Sequence, residues 1–545
     1  MTPFQEFRLW VRRAPAGERG AASVAALVVL ALLVWVLIPG SGGSAASASG
    51  FAPVPGATSS TSGTAAGSGI PGTGTGTGTG SGGGTGTGTG TGTGSGSGTG
   101  TGTSTGNSGT GSTGSGKSAK TGTSQGSSNT STPTPTASAV SCPNSSGSVN
   151  GVTSSQITIA AVLASLGGGG LNPVFGVPST SQQKAYFTSA INSINKNGGI
   201  CRRKLVPHFF TADPSSASNM TSTCLDIVQA KVFAVADAGA YAQFPQVDCF
   251  GQHKTPYFGS YILNQKQMNA YQPYLFEFNS FDTLYHDTVV ALAARGFFSA
   301  SHGFKKLGIP YRDCYPELLQ EEISWLNQAG VPSSKIVTSD VGCPATFASP
   351  SSLEAAIEKF KTQGVTNVTT VDFVGDWSNF TNDAQAQHFD PKYGLSDDAL
   401  IAVAYGSQAA NSKNIANALV VTDSRDGEET TPGFKPTAGT AACGKALGKN
   451  PYTQAANAGD ICDELWMLVA ATDHAPVLQQ NALKVGLQKA GSIDFSYPQG
   501  PNDFSSGQVS WGGQYYRVDQ FKTSCKAHSG GCYEIVQSGF KRGYN

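Results

Sequence analysis

Charge is scarce in this sequence. Only 12% of its 545 residues are charged, and 34 basic residues balance 34 acidic ones to a net charge of zero. The basic face that a phosphate backbone demands is missing, as is an acidic tail, so nucleic acid is not an expected partner. Histidine is scarce too: the seven His are scattered, with no HExxH pair and no close His/Cys/Asp spacing for a metal. His286-Asp287 and Asp473-His474 are chain neighbours on expected helices, so the members of each pair point to different faces, and no Ser-His-Asp set can be assembled. No catalytic set, metal or cofactor is expected. No CxxC or CxxH knuckle occurs. No Cys stands near the N-terminal apolar run, which excludes a lipid-modified N-terminus.

What is abundant is glycine. Nearly half of the 71 Gly lie before residue 140. From Ser41 to about Val140 the chain is Gly, Ser and Thr with few interruptions, too poor in apolar side chains to offset its ordering entropy. A disordered linker over 41–140 is the expectation, with a root-mean-square span of roughly 55 Å and a reach of ~350 Å when stretched. Two decoys lie inside it. Gly111–Ser118 fits the phosphate-loop pattern, and Gly102–Gly106 fits the nucleophile elbow GxSxG. Both patterns work only between a buried strand and a helix, and neither has that context here.

Ahead of the linker, Ala21–Ile38 carries no charge and is about the minimum length for a bilayer-spanning helix. Arg8, Arg12, Arg13 and Arg19 precede it, and no positive charge follows until Lys117. The positive-inside rule therefore keeps residues 1–20 in the cytoplasm and exports the rest. A retained single-pass anchor is expected. The alternative is a signal peptide cleaved at Ala46-Ser47-Ala48 and a secreted product.

All ten cysteines lie beyond the linker: Cys142, Cys201, Cys224, Cys249, Cys314, Cys343, Cys443, Cys462, Cys525 and Cys532. An even set in an exported chain reads as disulfides. Sequence alone leaves the pairing open. Joining neighbours in order gives 142–201, 224–249, 314–343, 443–462 and 525–532.

Beyond Val140, strand and helix patterns alternate. Strands are expected at 156–162, 204–210, 232–236, 256–258, 307–311, 335–339, 367–373 and 400–403. Helices are expected at 181–197 (apolar face Ala185, Ile191 and Ile194), 213–229 capped by Asp213, 281–298, 315–329 and 377–389. Another follows a Ser351/Glu354 capping box, and two more cover 460–473 and 476–489; the tail 514–536 reads as β-rich. Alternation of this kind argues for parallel sheets with helices on both faces, and two such sets argue for two lobes. Ligands then bind at the carboxyl ends of the strands.

Several segments resemble the type I periplasmic binding proteins of the branched-chain amino-acid-binding group. They are Gly151–Ile159, Ala185-Tyr186-Phe187 with Ile191-Asn192 and Asn197–Leu205, Thr211–Pro214, and Lys231–Val235. The resemblance covers about 150–540 and includes the spacing of Cys224 and Cys249. It implies a non-catalytic α/β receptor of two lobes, each a parallel sheet flanked by helices. Lobe 1 would be about 150–280 and 415–495, and lobe 2 about 281–414 and 496–545. A small polar or amino-acid-like ligand would sit in the cleft, with an ABC permease or a sensor as partner. By position, the ligand loops would offer Asp237, Gly239 and Tyr241, then Gly259, Ser260 and Tyr261, then Phe281 and Asp282. The second lobe would offer Tyr311, Arg312 and Asp313, then Asp376 and Trp377, then Tyr405. Ala238-Gly239-Ala240 replaces the small hydroxyl residues that hold a ligand carboxylate in amino-acid binders, which argues against an α-amino-acid ligand.

Overall fold

A computed structural model describes residues 147–543, apart from 176, 242–244, 260–262, 344–347, 372–375, 397–414, 426–434, 449–456, 499, 506–509, 524–531, 538 and 540. The apolar run 21–38, the linker, Cys142, Cys525, Ser260, Tyr261, Tyr405 and the strand expected at 400–403 lie outside the described residues. Among the described residues, no helix is long and apolar enough to cross a membrane.

The first sheet is built from β1 (Gln156–Ala164), β2 (Lys204–Ala212), β3 (Val235–Asp237), β4 (Tyr257–Phe258) and β5 (Leu275–Phe276), in the order β2-β1-β3-β4-β5. Every pairing is parallel. β1 reads QITIAAVLA and is buried along almost its whole length, as a central parallel strand covered on both faces must be. Its side chains alternate. Ile157, Ile159, Ala161 and Leu163 enter one core, while Ala160, Val162 and Ala164 enter the other.

The helix α1 (Thr180–Lys196) covers the first of these faces. Ser179 caps it in a reciprocal box with Gln182. Its buried stripe is Gln183, Tyr186, Phe187, Ala190, Ile191 and Ile194; the expected Ala185 is exposed instead, one step off the 3.6-residue stripe. The chain then turns sharply at Gly199, where φ is +70° and a Cβ would lie 2.0 Å from the Arg203 carbonyl oxygen, so only glycine fits. The helix α2 (Ala217–Gln229) and the short α3 (Asp248–Gln252) cover the opposite face, followed by α4 (Gln265–Ala270). Asp213 does not cap α2; Ser216 does, accepting from the Asn219 amide at 3.3 Å. Asp213 instead accepts from the amides of Ser215 and Gly167 at 2.9 and 3.0 Å, tying the loop after β1 to the loop after β2.

The second lobe opens with α5 (Phe281–Ala294) and continues through β6 (Leu307–Tyr311), α6 (Pro316–Gln328), β7 (Ile336–Asp340), α7 (Pro350–Thr362), β8 (Asn367–Val368), α8 (Trp377–Ala386), β9 (Lys392–Ser396) and β10 (Leu419–Thr422). The sheet order β7-β6-β8-β9-β10 repeats that of the first lobe, again all parallel. Ser349, not Ser351, caps α7, because Pro350 occupies the first helical position.

The chain then returns to the first lobe through α9 (Ala438–Leu447), α10 (Asn457–Asp473), α11 (Leu483–Ala490), β11 (Ser492–Ile493) and β12 (Asn502–Asp503). It ends in the second sheet with β13 (Tyr515–Lys522) antiparallel to β10, then β14 (Cys532–Ile535) and β15 (Lys541–Arg542), both paired with β13.

Two expected lobe boundaries move. β10, placed in lobe 1 by a boundary at 415, pairs with β9 and β13 and belongs to the second sheet. Ile493, Phe495 and Phe504 pack in the first-lobe core, so the return to lobe 2 comes after Phe504 rather than at 496. Hydrophobic burial, not chain position, decides both.

Three disulfides join the neighbours expected: Cys224–Cys249, Cys314–Cys343 and Cys443–Cys462. The expected partners of Cys201 and Cys532, which are Cys142 and Cys525, lie outside the described residues.

Candidate functional site

The chain crosses between the lobes three times, and the topology puts all three crossings at the same edges. The first leaves the carboxyl end of β5 and enters α5. The second leaves the carboxyl end of β10. The third enters β13, whose third residue, Arg517, pairs with Thr422 at that same end of β10. Both sheets therefore turn the carboxyl ends of their parallel strands toward the crossings.

The crossings are bound to one another. The Glu277 amide donates to the Ser510 carbonyl at 2.8 Å. The Phe278 carbonyl accepts from the amides of Gly512 and Gly513 and from Asn502 Nδ2, at 3.2, 2.6 and 2.7 Å. Asn279 Nδ2 donates to Asp423, and the Arg425 amide donates to the Tyr497 carbonyl at 2.8 Å. The result is a three-stranded hinge.

The first-lobe wall beside this hinge is acidic and dry. Asp237 ends β3 and is fully buried. Its carboxylate accepts from the amides of Gly239 and Tyr241 at 2.7 and 3.1 Å, and from the Tyr257 phenol at 2.7 Å. Its own amide donates to Glu464 at 2.8 Å. Burial pushes the Asp237 carboxyl up to about 6, and these hydrogen bonds pull against that rise. Glu277, also fully buried, directly follows β5. Burial raises it well above the usual carboxylate range, and the charges of Asp237 and Asp460 add to the rise. Asp463 is pushed up to about 7 by burial, although it accepts from the amides of Ser496 and Tyr497 at 2.9 and 2.8 Å.

On the second-lobe side Arg312 and Asp376 form a buried ion pair. Arg312 Nε and Nη2 donate to Asp376 Oδ2 at 3.1 and 2.6 Å, and Asp376 Oδ1 accepts the Ala348 amide at 2.8 Å. Asp376 thus ties the loops after β6, β7 and β8 together and does not cap α8 with its side chain. Asp282, at the start of α5, accepts the Gln265 amide at 2.7 Å. It also hydrogen-bonds Glu321, which burial and the Asp282 charge push up to about 7. Close by, Asn264 Nδ2 donates to Glu317 at 3.2 Å, and Lys266 pairs with Glu317 at 3.3 Å, linking α4 of the first lobe to α6 of the second.

Several expected contact residues are placed in the cores. Tyr241 is fully buried, donates to the Met220 carbonyl at 3.0 Å, and packs edge-on against Phe250. Trp377 is fully buried between Phe380 and Tyr393. These aromatic rings fill volume between sheet and helix and do not line a wet surface. Gly239, with φ +74°, and Tyr311 are half-buried at strand ends; burial and the charges of Asp340 and Asp313 raise the Tyr311 phenol. Sequence reasoning missed Glu277, Asp463 and Glu464. The signals were there: an acid inside the apolar run Tyr274–Phe278, and acids at 460, 463 and 464 on one face of an apolar helix.

No family model matches this chain, and no curated protein matches it. Among solved structures it is similar to a solute-binding protein of an ABC transporter from Rhodopseudomonas palustris in complex with 4-hydroxybenzoate, at TM-score 0.54 and 11% identity over 71% of this chain and 97% of that one. It is also similar to a solute-binding protein from R. palustris BisB5 in complex with 3,4-dihydroxybenzoic acid, at TM-score 0.52 and 13% identity over 72% and 98%. A periplasmic binding protein type 1 from Bordetella pertussis Tohama I matches at TM-score 0.49 and 14% identity over 70% and 100%. The fold is the two-lobed α/β fold of the type I periplasmic binding proteins.

Proposed function

We propose that this protein is an extracellular solute-binding receptor. It captures a small molecule between its lobes by hinge closure, performs no chemistry on it, and serves as the substrate-binding component of an ABC-type importer. The observation that carries this reading is the placement of all three crossings at the carboxyl ends of both parallel sheets. In open parallel sheets those ends are where ligands bind, and a hinge joining two such edges closes them around a ligand. Two solved structures similar in shape, both named as solute-binding proteins, hold an aromatic acid, in keeping with this use of the fold.

In this reading Gly239 and Tyr311 stand at the cleft edge. Asp237, Tyr241, Asp376 and Trp377 support it from below, and Asp282 braces the start of α5. The run Ala21–Ile38 anchors the receptor and residues 41–140 space it from the membrane. Three formed disulfides fit an oxidising compartment outside the cytoplasm.

The test is thermal unfolding of residues 141–545 against amino acids, amides, polyamines, sugars and aromatic acids. A ligand at a hundred times its Kd stabilises the folded state by about 2.7 kcal/mol. A clear upward shift with one class supports the receptor. No shift with any class overturns small-solute capture and moves the reading to a membrane-tethered sensor that binds a macromolecule.

A further inference from the structure

The acidic wall of the first lobe contains one carboxyl with nothing to hold. Asp237, Glu277, Asp460 and Glu464 come from β3, the residue after β5 and a single face of α10, and all four are buried. Asp237 has its donors, as described above. Glu277 has none: it is fully buried, and neither carboxyl oxygen meets a hydrogen-bond partner among the described residues. The charges acting on it are the carboxylates Asp237 and Asp460, and both repel its ionised form. A buried polar group left in this state demands an explanation.

Its direction supplies one. A Cβ placed on Gly259 would lie 2.2 Å from Glu277 Oε1 and 2.7 Å from the Tyr257 phenol oxygen. Gly259 is the first residue beyond the carboxyl end of β4, so the missing side chain leaves these two oxygens together at the edge where a parallel sheet takes its ligand. An acid and a phenol with further carboxylates behind them form an acceptor-rich, negative lining. In a dry setting a charge-assisted hydrogen bond to a cation is strong. Among the described residues no group of three or more His, Cys, Asp or Glu is arranged to hold a metal ion, which turns the chemistry toward an organic cation.

We propose, resting on the solute-binding reading, that the ligand carries an ammonium or guanidinium group and that Glu277 receives it. Asp460 and Glu464 deepen the negative potential. Tyr257 and Asp237 hold the wall in place. Burial and the neighbouring carboxylates favour the protonated form of Glu277, so cation binding is expected to draw a proton out.

Isothermal titration calorimetry on the full chain in detergent tests this, with putrescine, agmatine and arginine as cationic probes. The comparison probes are 4-hydroxybenzoate, glucose and Ca²⁺. A cationic probe is expected to bind at least tenfold tighter than any comparison probe. It is also expected to release up to one proton at pH 7, read from two buffers of different ionisation enthalpy. Glu277→Gln should weaken that binding at least tenfold while keeping the melting temperature at or above wild type. Binding of 4-hydroxybenzoate or glucose without the cations overturns the cation subsite and leaves the receptor reading standing. Preference for Ca²⁺ overturns the organic cation. No binding by any probe sinks both. If Glu277→Gln does not fold, the wild-type protein decides alone, since cation binding with no proton release overturns the role of Glu277.

Discussion

The Tyr257 phenol donates to the Asp237 carboxylate at 2.7 Å across the neighbouring strands β4 and β3, with both side chains fully buried. A carboxyl at the carboxyl end of a parallel strand is thereby bound to the sheet that presents it. The pair joins the geometry of the site to the stability of the lobe.

Removing the donor exposes that coupling. Tyr257→Phe keeps the stacked contact with Phe250 and deletes only the hydroxyl. Leaving a buried carboxylate short of one partner should cost about 1–3 kcal/mol. Tyr241→Phe, whose hydroxyl meets a neutral carbonyl, should cost about 1 kcal/mol. Urea denaturation of both variants checks the order; a larger loss at Tyr241 would contradict it.

The Arg312–Asp376 pair should behave as a unit. Asp376→Ala strips the buried guanidinium of its carboxylate and should cost about 3–5 kcal/mol, whereas replacing both residues by apolar side chains of similar volume should recover much of that loss. A double-mutant cycle by denaturant unfolding measures it. Additive single losses would show that the two side chains act independently.

Stability should fall as pH rises from about 4 to 7. Burial raises Asp237 to about 6 and Asp463 to about 7 in the folded protein, against about 3.9 when unfolded. Between those values the folded state holds more protons than the unfolded chain, so raising the pH favours unfolding, and this contribution levels off above pH 7. Melting curves from pH 4.5 to 8 should show this slope, and Asp463→Asn should flatten it. An unchanged slope in the variant would remove Asp463 from the account.

Peptide mapping under non-reducing conditions should recover Cys224–Cys249, Cys314–Cys343 and Cys443–Cys462. The neighbour rule extends to 142–201 and 525–532, and a map joining either outer cysteine elsewhere would break that rule. Replacing both cysteines of the 224–249 bridge by Ser should cost about 2–4 kcal/mol.

Long strands and amphipathic helices were legible because their periods are local. β1, β2 and β6 begin where their apolar runs begin, and α1 falls within one residue of its expected start. β8 begins at its expected start, Asn367, whereas β9 holds Gly394 and carries no local signal; its partners in the sheet make it a strand. At the site, Asp237 was read as a ligand contact from its place after an apolar strand; it is fully buried and held by Gly239, Tyr241 and Tyr257. Tyr241 and Trp377 were misplaced because a ring following a strand reads the same whether it turns into a cleft or into the core. Burial decides between those directions, and burial is not a local property.

By itself the sequence determined the alternation of strand and helix, the two-lobed class, an even set of ten cysteines, and an apolar N-terminal run followed by a Gly-rich tract. Each follows from composition, short-range periodicity or chain proximity. Only the tertiary structure decided which lobe takes Leu419–Thr422, that three distant crossings form one hinge, and that Glu277, Asp460 and Glu464 converge beside Asp237. Those residues lie up to 227 positions apart, as in the Asp237–Glu464 hydrogen bond. Contacts over such separations are set by sheet order and the burial of side chains, not by any neighbour along the chain.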